Sequence, residues 1–109
     1  MRYMMLIHHD EAAMAAADKQ ALGADYAAFN AALKKVGQPG QALQPSKNAT
    51  TVRVTNGKTL VLDGPYADTK EQFAGYFNVD VPDLDQAIVW ATRCPSSKYG
   101  SIEIRPIRG

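Results

Sequence analysis

An α+β fold is predicted from three observations on the sequence. Period-two alternation and three- to four-residue apolar spacing succeed one another in the order strand, helix, brief strand and hairpin, strand, helix, strand. One Asn-Gly dipeptide, Asn56-Gly57, sits between two β-rich runs and marks a tight hairpin. With 109 residues, 46% hydrophobic and 21% charged, the chain has the make-up of a single soluble domain, residues 1–109, large enough for one core and too short for two.

The first strand is Tyr3 to His9, an apolar run too short for a stable helix. Alternation gives Tyr3, Met5, Ile7 and His9 one face and Met4, Leu6 and His8 the other; both are apolar, so a central strand covered on both sides is expected. Glu11 to Val36 is alanine-rich and free of proline, hence helical. Asp18 caps its main helix, Leu22, Tyr26, Phe29, Leu33 and Val36 form the buried stripe, and Gly37 is the natural stop. Glu11 to Ala17 reads either as a separate turn of helix or as a mobile lid.

Gln38-Pro39-Gly40 has loop chemistry, leaving Gln41 to Gln44 for a brief strand before Pro45. Thr50–Thr55 and Lys58–Asp63 pair through a type I′ turn, with Val52 opposite Val61 and Thr50 opposite Asp63. That register puts Val52, Val54, Val61 and Asp63 on one face, where partial burial would force the carboxylate to find donors. Phe73 to Val81 alternates again, with Phe73, Gly75, Phe77, Val79 and Val81 on one side and Tyr76 on the other. A second helix opens at Asp83 as cap, buries Leu84, Ala87, Ile88 and Ala91, is extended by Trp90 and ends at Pro95. Ser101 to Ile107 closes the chain as a strand with Ile102 and Ile104 inward and Glu103 and Arg105 on the opposite face.

This order is the ferredoxin-like βαββαβ pattern with an inserted β-hairpin. Both helices then cover one sheet face, so the second apolar face of the first strand calls for a two-fold partner, and a homodimer is expected.

Twelve Lys+Arg against eleven Asp+Glu give a net charge of +1, which argues against nucleic-acid binding. No run approaches the roughly 20 apolar residues of a membrane span, and no signal peptide is read. Cys94 is the sole cysteine, which fits a reducing cytoplasm and reads as a structural thiol.

Chemistry concentrates in Asp63-Gly64-Pro65-Tyr66-Ala67-Asp68-Thr69-Lys70-Glu71, which carries three carboxylates, one ammonium, one hydroxyl and a phenol within nine residues. Such density suits acid–base work or capture of a small polar ligand. Turn chemistry explains the same residues: Asp-Gly-Pro terminates a strand, and Asp68 or Thr69 can cap a helical turn. The candidate site takes Asp63 as general acid or base, Lys70 as an electrostatic clamp, and Tyr66 and Thr69 as orienting groups. Glu71, His8, His9, Tyr76 and Arg105 complete the ligand-binding set. His8 and His9 point to opposite faces and cannot readily share an ion, so neither a metal nor another cofactor is expected.

Leu62-Asp63-Gly64-Pro65-Tyr66-Ala67-Asp68-Thr69-Lys70-Glu71-Gln72, with Gly75-Tyr76, Val81-Pro82-Asp83-Leu84-Asp85-Gln86-Ala87, Trp90-Ala91, Arg93-Cys94-Pro95, Tyr99-Gly100-Ser101 and Glu103-Ile104-Arg105-Pro106, resembles the YCII-related proteins of the DGPF type. The likeness runs from Arg2-Tyr3-Met4 nearly to the C-terminus. It implies a bacterial dimeric α/β barrel without an established general activity, and a genomic association with alternative sigma factors. Tyr66 stands where the family's name puts Phe, and Asp68 where Glu is usual. In the smaller YCII proteins a catalytic His and Asp pair has been proposed; alignment on the glycine after the first helix puts Tyr26 in place of that histidine. Asp63 is thus the acid that the motif supports. Two functions follow as expectations: lyase- or hydrolase-like chemistry on a small molecule, or non-catalytic ligand binding or regulation.

Overall fold

The computed structural model describes residues 1–109. Its elements are β1 (Arg2–Asp10), α1 (Glu11–Ala15), α2 (Lys19–Leu33), β2 (Gly37–Ala42), β3 (Thr50–Thr55), β4 (Lys58–Asp63), β5 (Glu71–Asp80), α3 (Leu84–Arg93) and β6 (Gly100–Pro106), with 3-10 turns at Ser46–Asn48 and Pro95–Lys98. Four strands form one sheet in the order β2-β5-β1-β6, every neighbouring pair antiparallel, and β3 pairs only with β4. The α+β, ferredoxin-like architecture with a hairpin between β2 and β5 is therefore present.

The core lies between one sheet face and the two long helices. Tyr3, Met5 and Ile7 of β1 and Phe77 and Val79 of β5 meet Phe29 and Leu33 of α2 and Ala87, Trp90 and Ala91 of α3. The Phe29 ring packs edge-on against Phe77 at 5.2 Å and Trp90 at 6.0 Å between centroids. Such pairs add about 0.5–1.5 kcal/mol beyond the area they bury. Asp18 caps α2 by accepting from the amides of Gln20 and Ala21, and Asp83 caps α3 by accepting from that of Gln86.

Several local expectations are corrected. Gly37 does not end a helix; it begins β2, which spans the whole Gln38-Pro39-Gly40 segment. A β-carbon at Gly37 would lie 2.0 Å from the Asn78 carbonyl oxygen, so the close approach of these strands requires glycine. Pro39 is tolerated because β2 is an edge strand. Glu11–Ala15, by contrast, takes the first of the two forms expected for this segment, a separate helical turn, capped by Asp10, whose carboxylate accepts from the amides of Ala12 and Ala13. In α3, Leu84 and Ile88 are exposed, while Trp90 enters the core with Ala87 and Ala91.

The β1–β5 register shifts once: Ile7 pairs with Gly75 but His8 with Phe73, leaving Ala74 as the extra residue of a bulge. Phe73 is thereby moved off the face of Gly75, Phe77 and Val79, where simple alternation had put it, and stands beside His8 with ring centroids 5.6 Å apart. A bulge of one residue reverses every side chain beyond it.

The hairpin has the expected register, Thr50 opposite Asp63 through Thr55 opposite Lys58, about Asn56 (φ 53°) and Gly57 (φ 76°). Its apolar stripe is not buried within the chain, for Val52, Val54 and Val61 are 59%, 69% and 60% exposed. The reason is that β3–β4 makes no ladder with the four-stranded sheet and projects as an arm. Its base is fixed by the Gly64 amide donating to Ala49 O at 2.8 Å and by Thr51 Oγ1 donating to Gly64 O at 2.8 Å.

Candidate functional site

Arm and sheet enclose an open cleft of about 1220 Å³. Its floor is the end of the helix-free sheet face, where the bulge brings Phe73 to His8, and its walls are the Leu43–Val52 segment and the turn carrying Pro65, Tyr66, Ala67 and Thr69. His8 Nε2 lies 3.1 Å from Glu103 Oε1, and Ser101 Oγ donates to Glu71 Oε1 at 2.7 Å. Both pairs follow from strand order: β1 pairs with β5 on one side and β6 on the other, so His8 is opposite Phe73 and also opposite Ser101.

Of the residues singled out in the sequence, His8, Tyr66, Thr69 and Glu71 line this cleft. Thr69 Oγ1 donates to Glu71 O at 2.6 Å, and Gln72 Nε2 donates to the carbonyls of Ala67 and Thr69 at 3.0 and 2.9 Å, so the turn is held by its own polar groups. The Arg53 guanidinium lies 5.3 Å from the Tyr66 ring centre and couples the turn to the arm. Lys70 is turned to Asp10, 3.7 Å away, and is 86% exposed. Asp63 ends β4 in an exposed position and is absent from the cleft lining. Tyr76 and Arg105 pair with Leu6 and Met4 on the helix-free sheet face, outside the cleft.

His9 is on the other side of the sheet, against the space beneath α2. Burial pushes its imidazole below the ordinary protonation range, against the opposing pull of Glu11 and Asp10. Glu11 accepts from Ser46 Oγ at 2.5 Å and Ser46 N at 2.7 Å, and these two bonds hold its carboxyl below the ordinary range. They also tie α1 to the wall of the cleft.

Sequence reasoning missed Glu103, Ser101 and Phe73. A signal existed for Glu103: it falls on the opposite face from Ile102 and Ile104, as His8 does from Ile7, and ferredoxin-like order makes their strands neighbours. Phe73 carried none, because the bulge leaves no mark on an alternating apolar run. Chemically, an imidazole that donates Nε2–H to a carboxylate keeps Nδ1 as a proton acceptor, and the carboxylate stabilises the imidazolium formed on proton capture.

A family model described as the YCII-related domain matches residues 1–109. The chain belongs to the YCII-related family. An uncharacterised protein of Rhizobium meliloti is 33% identical over 114 residues, covering 98% of this chain and 92% of that one. The fold of this YCII-related chain is similar to that of the 5-chloro-2-hydroxyhydroquinone dehydrochlorinase of Burkholderia phenoliruptrix, solved in complex with 2,5-dihydroxybenzoquinone. That likeness has a TM-score of 0.57 at 13% identity over 99% of this chain and 94% of the other. No helix is long and apolar enough to cross a membrane.

Proposed function

We propose that this YCII-related protein is a homodimer that binds a small polar molecule in the cleft and acts on it by lyase-type acid–base chemistry, with His8 as base and Glu103 as its positioning partner. The observation that carries this reading is the His8–Glu103 contact of 3.1 Å on the floor of a cleft large enough for a ligand. Glu71, held by Ser101, and the Tyr66–Thr69 turn supply polar contacts to orient the bound molecule. Asp63, exposed and outside the lining, is a weaker proton-transfer candidate than Glu103 in this arrangement. The fold likeness to a dehydrochlorinase makes elimination the reaction type to test first: one ring hydroxyl loses its proton to the base as the chlorine-bearing carbon gains one, and a second hydroxyl then loses its proton as chloride leaves with the C–Cl electron pair, so that HCl is lost overall and a hydroxyquinone forms.

Chloride release from 5-chloro-2-hydroxyhydroquinone and thermal stabilisation by 2,5-dihydroxybenzoquinone form the experiment. We expect release that His8→Ala lowers by roughly 10²-fold or more, the usual weight of a positioned general base. Asp63→Asn should leave it within about twofold, on the scale of surface substitutions away from a site. Stabilisation without release, in a wider panel of hydroxylated substrates, would favour the non-catalytic binding role. Absence of both across the panel would sink the cleft as a small-molecule site.

A further inference from the structure

The β3–β4 arm is apolar on both sides. Its register puts Val52, Val54 and Val61 on one face and Leu60 and Leu62 on the other, each between 45% and 69% exposed. A strand pair of that kind is satisfied only between two covers, yet the arm makes no ladder with the four-stranded sheet. Charge follows the same division. Arg53 and Lys58 lie on the leucine face, while the arm's single acid, Asp63, closes β4 at its root on the valine face. The cleft has the matching character: Glu71 and Glu103 line it, no Lys or Arg does, and Leu43 and Phe73 give it exposed apolar surface. At about 1220 Å³ it is also larger than the roughly 300–1,000 Å³ of a small-ligand site. On the homodimeric reading of this protein, we infer that two copies exchange arms: the arm of each enters the cleft of the other, and the partner's Arg53 and Lys58 become part of the small-molecule site.

One layering satisfies both chains at once. In each cleft the visiting arm turns its leucine and cation face to the floor, where Glu71 and Glu103 supply the opposite charge, and its valine face to the resident arm, whose own Val52 lines the cleft. The two-fold axis then passes between two valine faces. The resident arm accordingly meets the partner's floor in the same way, so every apolar face of both arms is covered and every arm cation approaches a carboxylate. Because the groove and the element that fits it belong to the same chain, their complementarity selects a second copy over an unrelated partner.

Charge reversal tests the exchange without any catalytic readout. One chain carries Arg53→Glu with Lys58→Glu, the other Glu71→Lys with Glu103→Lys, and circular dichroism first checks that each is folded. Alone, either chain sets like charges together in both clefts, and its dimer should dissociate at least about tenfold more readily than that of the unaltered protein in sedimentation at low salt. Mixed in equal amounts, the two chains regain opposite charges in both clefts, and a heterodimer should form with a dissociation constant within about threefold of the native one. A covalent measurement stands beside this one. Lys58→Cys and Ser101→Cys chains of different mass, mixed and oxidised, should give mainly the mixed cross-linked pair, since Cys94 is 1% exposed and takes no part. A monomer for the unaltered protein, a mixture that associates no better than its components, or cross-linked pairs with no excess of the mixed species would each overturn the exchange. Chloride release or quinone binding by a monomer would keep the cleft as a small-molecule site while striking the exchange, and restored heterodimers without any bound quinone would do the reverse.

Discussion

At the scale of single residues, the ionisable groups at the end of β1 set the acid sensitivity of the fold. Asp10 is held below its ordinary 3.8 by the Ala13 and Ala12 amides and by Lys70, and Glu11 below its ordinary 4.5 by Ser46. A carboxyl with a depressed folded pKa contributes stability that is fully present above the unfolded value and is lost as pH falls through the folded one. The difference in Tm between the native protein and Glu11→Gln should therefore be constant at neutral pH and shrink once pH drops below 4.5. His9 acts at higher pH. Because burial lowers its pKa, the unfolded chain takes up a proton near 6.5 that the folded chain resists, so stability falls as pH drops below 6.5. His9→Asn should remove that part of the slope, as measured by thermal melts from pH 7.5 to 5, a window of roughly one unit or more on either side of the ordinary imidazole value.

At the scale of elements, the core and the arm should fail differently. Leu33 is fully buried beneath the sheet, and Leu33→Ala should cost about 2–5 kcal/mol in global unfolding by denaturant. Gly57→Ala places a β-carbon at φ 76° and should cost about 1–2 kcal/mol, read as faster amide exchange confined to β3 and β4, since the arm pairs with nothing else in the chain. These elements also show what a sequence can reveal. The hairpin register was legible to the residue because Asn56-Gly57 dictates its own turn geometry. The two helix caps were equally plain, as Asp18 and Asp83 precede apolar runs with no competing partner. Pro39 misled because it reads as loop unless its strand is known to be an edge. The bulge at Ala74 was invisible, and with it half the floor of the cleft, because Phe73-Ala74-Gly75 is apolar on either alternation. Leu84 and Ile88 were misplaced for a related reason: a helix with apolar residues around more than half its girth does not say which of them face inward.

At the scale of the molecule, the chain is too spread for its length. Its radius of gyration is 15.6 Å, against about 13 Å for a compact chain of this size, and its extents are 45 × 38 × 18 Å. Only 15 of 109 residues are buried, and the arm leaves Val52, Val54, Leu60, Val61 and Leu62 in solvent. Exposed apolar side chains concentrated on one element favour self-association. Sedimentation should accordingly find a dimer at micromolar concentration, and Val54→Asp with Leu62→Asp should shift it towards monomer while far-ultraviolet circular dichroism stays constant. A monomer for the unaltered protein would remove the two-fold partner from the proposed function and, with it, the exchange of arms.

The projecting arm has a kinetic consequence. Its six-residue strands are linked by two residues and close by local contacts alone, so they can open and re-form without disturbing the core. If a second copy supplies their cover, amide protection along β3 and β4 will rise with protein concentration, while that of β1 and β5 will not. Exchange rates at the twelve strand positions of the arm, six on either side of the turn, would then act as a gauge of assembly built into the chain itself.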